Sequence, residues 1–249
     1  MNKNKMISNL KIEYERDFSG WDFSYLDGKV IEDPLPWNYR NIIESYCKGK
    51  SNLLDMGTGG GEFLSSIKNL PKNTFATEAY IPNVSIAKNT LSKKGIQVFQ
   101  VEEGESNLPF KDHELELIIN KHECYDEKEL SRILKGNGIF ITQQVGGLND
   151  INLNAIFDAD LKYFRWNLIN AKERLIRAGF KVTKSDEYIG KFRFYSIESL
   201  VYYLKCIPWQ IEDFSVDKYE SKLWNIYEEI EDKGYFDSIL HRFILIAEK

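Results

Sequence analysis

The sequence predicts an α/β fold: a mostly parallel sheet of about seven strands with helices on both faces, the last strand antiparallel. A helical lid is expected between the last two strands. Three observations lead there. Between residues 51 and 147, short apolar runs alternate with helical patterns, as in a parallel sheet covered on both faces. The run Leu115-Glu116-Leu117-Ile118-Ile119 has the near-continuous apolar character of a buried central strand. The first apolar run ends in an acid and a cluster of glycines, Asp55-Met56-Gly57-Thr58-Gly59-Gly60-Gly61, just before a helix start.

Residues 1–50 read as an aromatic-rich, irregular cap, with Trp21, Phe23, Tyr25, Trp37 and Tyr39 around the turn Asp33-Pro34-Leu35-Pro36. It closes on a helix from about Trp37 to Lys48, with Ile42, Ile43 and Tyr46 on one face. Strands are expected at Asn52–Met56, Thr74–Glu78, Gln97–Val101, Leu115–Ile119 and Ile139–Val145. Helices are expected between them near Gly61–Leu70, Asn83–Lys93 and Asp126–Leu134. Leu161–Ala178 carries Phe164, Leu168, Leu175 and Ala178 at helical spacing and stops at Gly179. A strand follows at Phe180–Tyr188, then helices at Ser196–Cys206 and Val216–Lys233, then a last strand at His241–Ala247.

The expected organisation is a cap (1–50), a core (51–195 and 238–249) and a lid (196–237). The lid stretch is too long for a tight hairpin and too apolar for a disordered linker. Folded over the carboxyl edge of the sheet, it would wall an acceptor pocket.

The chain has 249 residues, 33 Lys+Arg against 38 Asp+Glu, and a formal net charge of -5. That balance argues against general nucleic-acid binding, which favours a basic face. No apolar run approaches the length of a membrane span, and the N-terminus lacks the apolar stretch of a signal peptide. Cys47, Cys124 and Cys206 are far apart, without metal-ligand spacing, and read as reduced thiols in a cytoplasmic protein. No metal site and no membrane partner are expected.

The glycine turn sits where doubly wound sheets bind ligands, at the carboxyl ends of the strands. Its glycines permit positive φ and close approach of a ligand, and the next helix start offers free N–H groups. A dinucleotide fingerprint would need glycine at position 62, where Glu62 would face a pyrophosphate badly. The pattern suits a ligand bearing a carboxylate and an ammonium. Asp55 would hold the ammonium, directly or through water. Glu78, closing the second strand, would accept from ribose hydroxyls. One acid of Glu102, Glu103 and Glu105, with Glu103 preferred, would accept from an adenine amino group.

These stretches resemble the class I S-adenosylmethionine-dependent methyltransferases. The resemblance spans roughly residues 50–147. It rests on Leu53–Gly61, Glu78, Leu108-Pro109-Phe110-Lys111-Asp112, Leu117-Ile118-Ile119-Asn120 and Arg132-Ile133-Leu134-Lys135-Gly136-Asn137-Gly138. Glu116, where the family more often has Asp, and Asn137, which replaces a turn residue and leaves the ligand site intact, depart from the usual residues. Leu54–Glu62, Ala76-Thr77-Glu78, Pro82-Asn83-Val84 and Thr142-Gln143-Gln144-Val145-Gly146 look like a bacterial subgroup. The resemblance implies a Rossmann-like fold, S-adenosyl-L-methionine as cofactor and methyl transfer as reaction. It also implies Met56, Thr58, Ala79 and Asn120 as cofactor-binding, beside Asp55, Gly57, Gly59, Gly61, Glu78 and Glu103.

Methyl transfer from a sulfonium is an in-line displacement. It needs alignment and exclusion of water, and a base only where the nucleophile must shed a proton. His122, just after the fourth strand, is the candidate catalytic base, because its ordinary pKa lies near neutrality. Glu123 would orient it or face water. Adjacent side chains diverge, so His122-Glu123-Cys124 makes no metal site. Gln143 and Gln144 face opposite sides of a strand, so at most one enters the pocket. Gln143, Trp37, Tyr202 and Tyr203 are the candidate substrate-binding residues; Tyr39 and Trp209 add aromatic surface. The expected function is methyl transfer to a small-molecule acceptor. The alternatives are an RNA or protein methyltransferase and a non-catalytic cofactor sensor. Nothing in the sequence specifies the oligomeric state.

Overall fold

A computed structural model of the chain describes residues 2–102, 104 and 106–249. In chain order it runs α1 (Lys3–Tyr14), a 3-10 turn (Ser24–Leu26), β1 (Val30–Glu32), α2 (Tyr39–Cys47), β2 (Asn52–Met56) and α3 (Glu62–Ser66). It continues with β3 (Asn73–Glu78), α4 (Ile81–Ser92), β4 (Gln97–Gln100), β5 (Leu115–Lys121), α5 (Glu127–Ile133) and β6 (Leu134–Val145). It ends with α6 (Ile151–Phe157), α7 (Leu168–Arg177), β7 (Lys181–Phe194), α8 (Ile197–Cys206), α9 (Glu220–Lys233) and β8 (Phe236–Glu248).

The chain divides into two compact units. One holds residues 1–34, 146–165 and 188–241, the other residues 35–145, 166–187 and 242–249. Strands β7 and β8 run through both. The strand order is β1-β7-β8-β6-β5-β2-β3-β4, eight strands among the described residues.

In the second unit β2 lies between β3 and β5, all parallel, with Met56 level with Thr77 on one side and Asn120 on the other. β4 and β6 extend the parallel set. β8 closes it antiparallel to β6, from Ile139↔Glu248 to Val145↔Arg242, as expected for the last strand. Parallel strands here are buried on both faces, so β5 shows almost no exposed residue before Lys121. One face packs Leu54, Ile118, Phe140 and Phe243 with Leu130 of α5 and Leu175 of α7. Side-chain caps start α5 and α7. Asp126 accepts from Glu129 N–H and Asn167 from Asn170 N–H.

The first unit is more ordered than the sequence suggests. Residues 3–14 are helical, where an irregular cap is expected. Asn2 caps α1, and Met6, Ile7 and Leu10 are buried while Ile12 is exposed. A helix this polar depends on tertiary packing, here supplied by α8, more than on its own periodicity. β1 has only three residues and pairs antiparallel with the end of β7. It is the strand beyond the expected seven. α6 was not anticipated either. The helix expected over Leu161–Ala178 begins at Leu168. Leu161, Tyr163 and Phe164 are exposed apolar residues that mimic helical spacing. α8 and α9 form the helical stretch expected between the last two strands. They share their unit with residues 1–34 and 146–165, whereas α2 belongs to the second unit.

Candidate functional site

All of the cofactor-side residues lie in the second unit. Gly57, Gly59 and Gly61 hold φ of 67°, 62° and 85°. Two of these positions exclude a side chain on space as well. A Cβ at Gly57 would stand 2.6 Å from Glu123 Cβ, and one at Gly61 would stand 2.7 Å from Leu91 Cγ. The turn is tied to its neighbour strand: Thr58 N–H donates to Thr77 O at 3.0 Å.

Glu78 anchors the same turn through its side chain. Oε2 accepts from Gly59 N–H at 2.6 Å and Oε1 from Tyr80 N–H at 2.8 Å. Burial raises its pKa and the nearby Glu123 adds to the rise, while those N–H donors act against it. Asp55 is 4% exposed. Burial pushes its carboxyl up to about 7; Thr58 and Lys121 pull the other way, and Glu78 adds to the rise. Three acids around one turn disfavour one another's charge, an arrangement that a cation relieves.

A narrow crevice opens beside Met56 and Gly57. Ala79, Val101, Leu108 and Tyr125 give it apolar walls, and Glu102 and Glu123 bring carboxylates to it. Glu103 lies outside the described residues. At the end of β5, Asn120 Nδ2 is buried without a hydrogen-bond partner among the described residues. Positive-φ glycines, an apolar slot and a buried orphan donor fit a ligand with a nucleoside and an amino-acid end.

The ends of β5 and β6 carry two hydrogen-bond groups on opposite faces, as their alternation requires. On one face Asn120 Oδ1 accepts from Thr142 Oγ1–H and Gln144 Nε2–H, both at 2.7 Å. Gln144 Nε2 also donates to Glu123 O at 3.0 Å, which holds the loop after β5. On the other face Trp37 Nε1–H donates to Gln143 Oε1 at 2.8 Å, and Gln143 Nε2 meets His122 Nε2 at 3.3 Å. Tyr39 OH donates to Asn120 O at 2.8 Å, fixing α2 to the end of β5.

His122 adopts φ 63°, a left-handed conformation that a non-glycine residue holds only under constraint. The residue as a whole is exposed. Dense protein around the ring nevertheless lowers its pKa well below the usual imidazole range, with Arg242 and Lys121 adding positive charge. Glu123 accepts from Cys124 N–H at 3.1 Å. Thr142 and Arg242 join the site without having been singled out by spacing. The available signal was a polar residue inside an otherwise apolar strand.

Tyr202 and Tyr203 lie in the first unit and are interior there. Tyr202 packs on Tyr25 at 4.5 Å between ring centres. Tyr203 packs on Phe192 at 5.0 Å and donates its hydroxyl to buried Asp150 at 2.7 Å. Trp209 is 42% exposed and lies edge-on to Trp21. Among the described residues no cluster of His, Cys, Asp and Glu could hold a metal ion, and no helix is long and apolar enough to cross a membrane.

Fold and glycine turn together define an α/β protein built to hold a nucleoside-containing cofactor at its strand ends. Residues 54–142 match the family model described as a methyltransferase domain. Among solved structures, a protein of Bacillus halodurans C-125 assigned as a methyltransferase superposes with a TM-score of 0.61 at 15% identity, covering 84% of this chain and 96% of that one. A functionally unknown protein from Deinococcus radiodurans R1 gives 0.60 at 11% identity over 88% and 90%. The YcgJ protein of Bacillus subtilis gives 0.58 at 13% over 84% and 97%. At such identities the likeness is one of fold. No curated protein matches the sequence. Residues 54–142 carry a methyltransferase domain; the protein is an enzyme of methyl transfer, and its cofactor is S-adenosylmethionine.

Proposed function

We propose that this protein methylates a small-molecule acceptor in the cytoplasm. The observation that carries this reading is the group of acids at the glycine turn, Asp55 and Glu78, and in the narrow apolar crevice beside it, Glu102 and Glu123. That field suits a cationic cofactor and repels a polyphosphate chain. The net charge of -5 points the same way.

The cofactor supplies an electrophilic methyl group on a sulfonium. The Gly57–Gly61 turn receives its carboxylate, at N–H groups other than those of Thr58, Gly59 and Gly61, which are already donated within the fold, and Asp55 receives its ammonium. Glu78, already clasping the turn, accepts from the ribose hydroxyls. Met56, Thr58, Ala79 and Asn120 line its place. His122 is the catalytic residue that touches the acceptor, with Gln143 and Trp37 behind it.

Incubation of the whole protein with methyl-labelled cofactor and separate pools of small metabolites, RNA and protein tests the reading. Label should enter the small-molecule pool. Label in RNA or protein alone would overturn it.

A further inference from the structure

Trp37, Gln143 and His122 form a chain of hydrogen bonds whose direction is set by chemistry alone. An indole N–H can only donate. The Gln143 atom 2.8 Å from it is therefore the carbonyl oxygen, and the amide nitrogen faces His122. That nitrogen is itself only a donor, so the ring nitrogen it meets, Nε2, presents its lone pair. The proton of the neutral ring then sits on Nδ1. His122 N–H donates to Gln143 O at 2.9 Å, so one residue holds both the backbone and the ring. These bonds maintain the left-handed φ of 63°. Nδ1 makes no hydrogen bond among the described residues, and the residue as a whole is exposed.

A general base must offer a lone pair to its substrate. Here the nitrogen with the lone pair is occupied by Gln143, and the free nitrogen bears the proton. Resting on the methyl-transfer reading, we propose that His122 donates Nδ1–H to an oxyanion of the acceptor, a carboxylate or phenolate, and that Gln143 and Trp37 are positioning residues that set its tautomer. Lys121 and Arg242 are the charged groups acting on the ring, both positive, and they favour an oxyanion beside it. Transfer to such an oxygen forms the C–O bond as the C–S bond breaks, with the C–S pair passing to sulfur. Anion and sulfonium become a neutral methylated product and a neutral thioether, and no proton has to leave.

The test is a long-range ¹H–¹⁵N spectrum of the whole protein labelled in histidine, with His122→Asn identifying the resonances. At neutral pH the wild type should show a neutral His122 ring with its proton on Nδ1. Gln143→Glu offers an acceptor to Nε2, and should move the proton there and raise the ring pKa by about 1–3 units. Trp37→Phe frees the amide to turn and should yield a mixture of tautomers. A wild-type ring protonated on Nε2, or charged at neutral pH, would overturn the proposal without any variant. So would a folded Gln143→Glu protein with an unchanged ring. Calorimetry with S-adenosylhomocysteine on the same sample separates the two levels. Absence of binding counts against the methyl-transfer reading, whereas binding with the wrong tautomer counts against this inference alone.

Discussion

Trp37 and Gln143, 106 positions apart, meet in a buried hydrogen bond of 2.8 Å that sets the direction of the amide facing His122. Neither residue is ionisable, yet together they decide which nitrogen of the His122 imidazole carries its proton. The acceptor side of the site is thereby pre-set by neutral groups. The cofactor side depends on acids.

On the acceptor side, the size of one rate effect separates the possible roles of His122. Loss of a hydrogen bond to a charged acceptor costs about 1.5–3 kcal/mol, or about 10–150-fold in rate. Loss of a general base costs about 10²–10⁴-fold. Once an acceptor is in hand, His122→Ala should fall in the smaller range in single-turnover assays, with cofactor affinity retained.

The glycine turn yields a paired prediction. Gly57 and Gly59 share positive φ, but only Gly57 has a side chain packed over it. Gly59→Ala should cost about 1–2 kcal/mol of stability from strain alone. Gly57→Ala should cost more, because Glu123 must also move, and Gly57→Val should abolish binding of S-adenosylmethionine and S-adenosylhomocysteine. Urea unfolding and calorimetry read the two effects. Equal losses at both glycines would mean that Glu123 yields freely.

Asp55 should give the free protein a distinctive pH dependence. Its folded pKa, about 7, lies above its ordinary 3.8, so the folded state holds the proton over that interval. Its contribution to stability is therefore greatest in acid, falls as pH rises from about 4 to about 7, and is level above. Asp55→Asn should stabilise the free protein at pH 8 by on the order of 2–4 kcal/mol and change little at pH 4. Cofactor affinity should show the opposite trend. It should rise with pH through about 7 in the wild type, as the carboxylate becomes available to an ammonium, and lose that rise in the variant.

Glu78 is both a clasp and a ligand in this reading. Glu78→Ala removes the acceptor from Gly59 N–H and Tyr80 N–H, and should weaken S-adenosylhomocysteine binding by about 1.5–3 kcal/mol. Glu78→Gln keeps one acceptor oxygen and should fall between. An unchanged dissociation constant in the alanine variant would remove Glu78 from cofactor binding.

Local chemistry made much of this protein legible in its sequence. Alternating apolar runs marked five parallel strands, because a strand buried on both faces has few other ways to be written. The Asp55–Gly61 pattern marked the cofactor turn, because positive φ and close approach leave glycine alone at those positions. Elements whose stability comes from elsewhere in the fold were not legible. α1 has too few apolar residues to announce itself and depends on α8, and β1 exists only as a partner of β7. The site divides the same way. Asp55, Glu78 and His122 could be named from their place after strands. The tautomer of His122, the clasp of Glu78 on Gly59 and the pKa of Asp55 could not. Each depends on groups distant in sequence, from Trp37 to Arg242, and on burial that only the packed sheet creates.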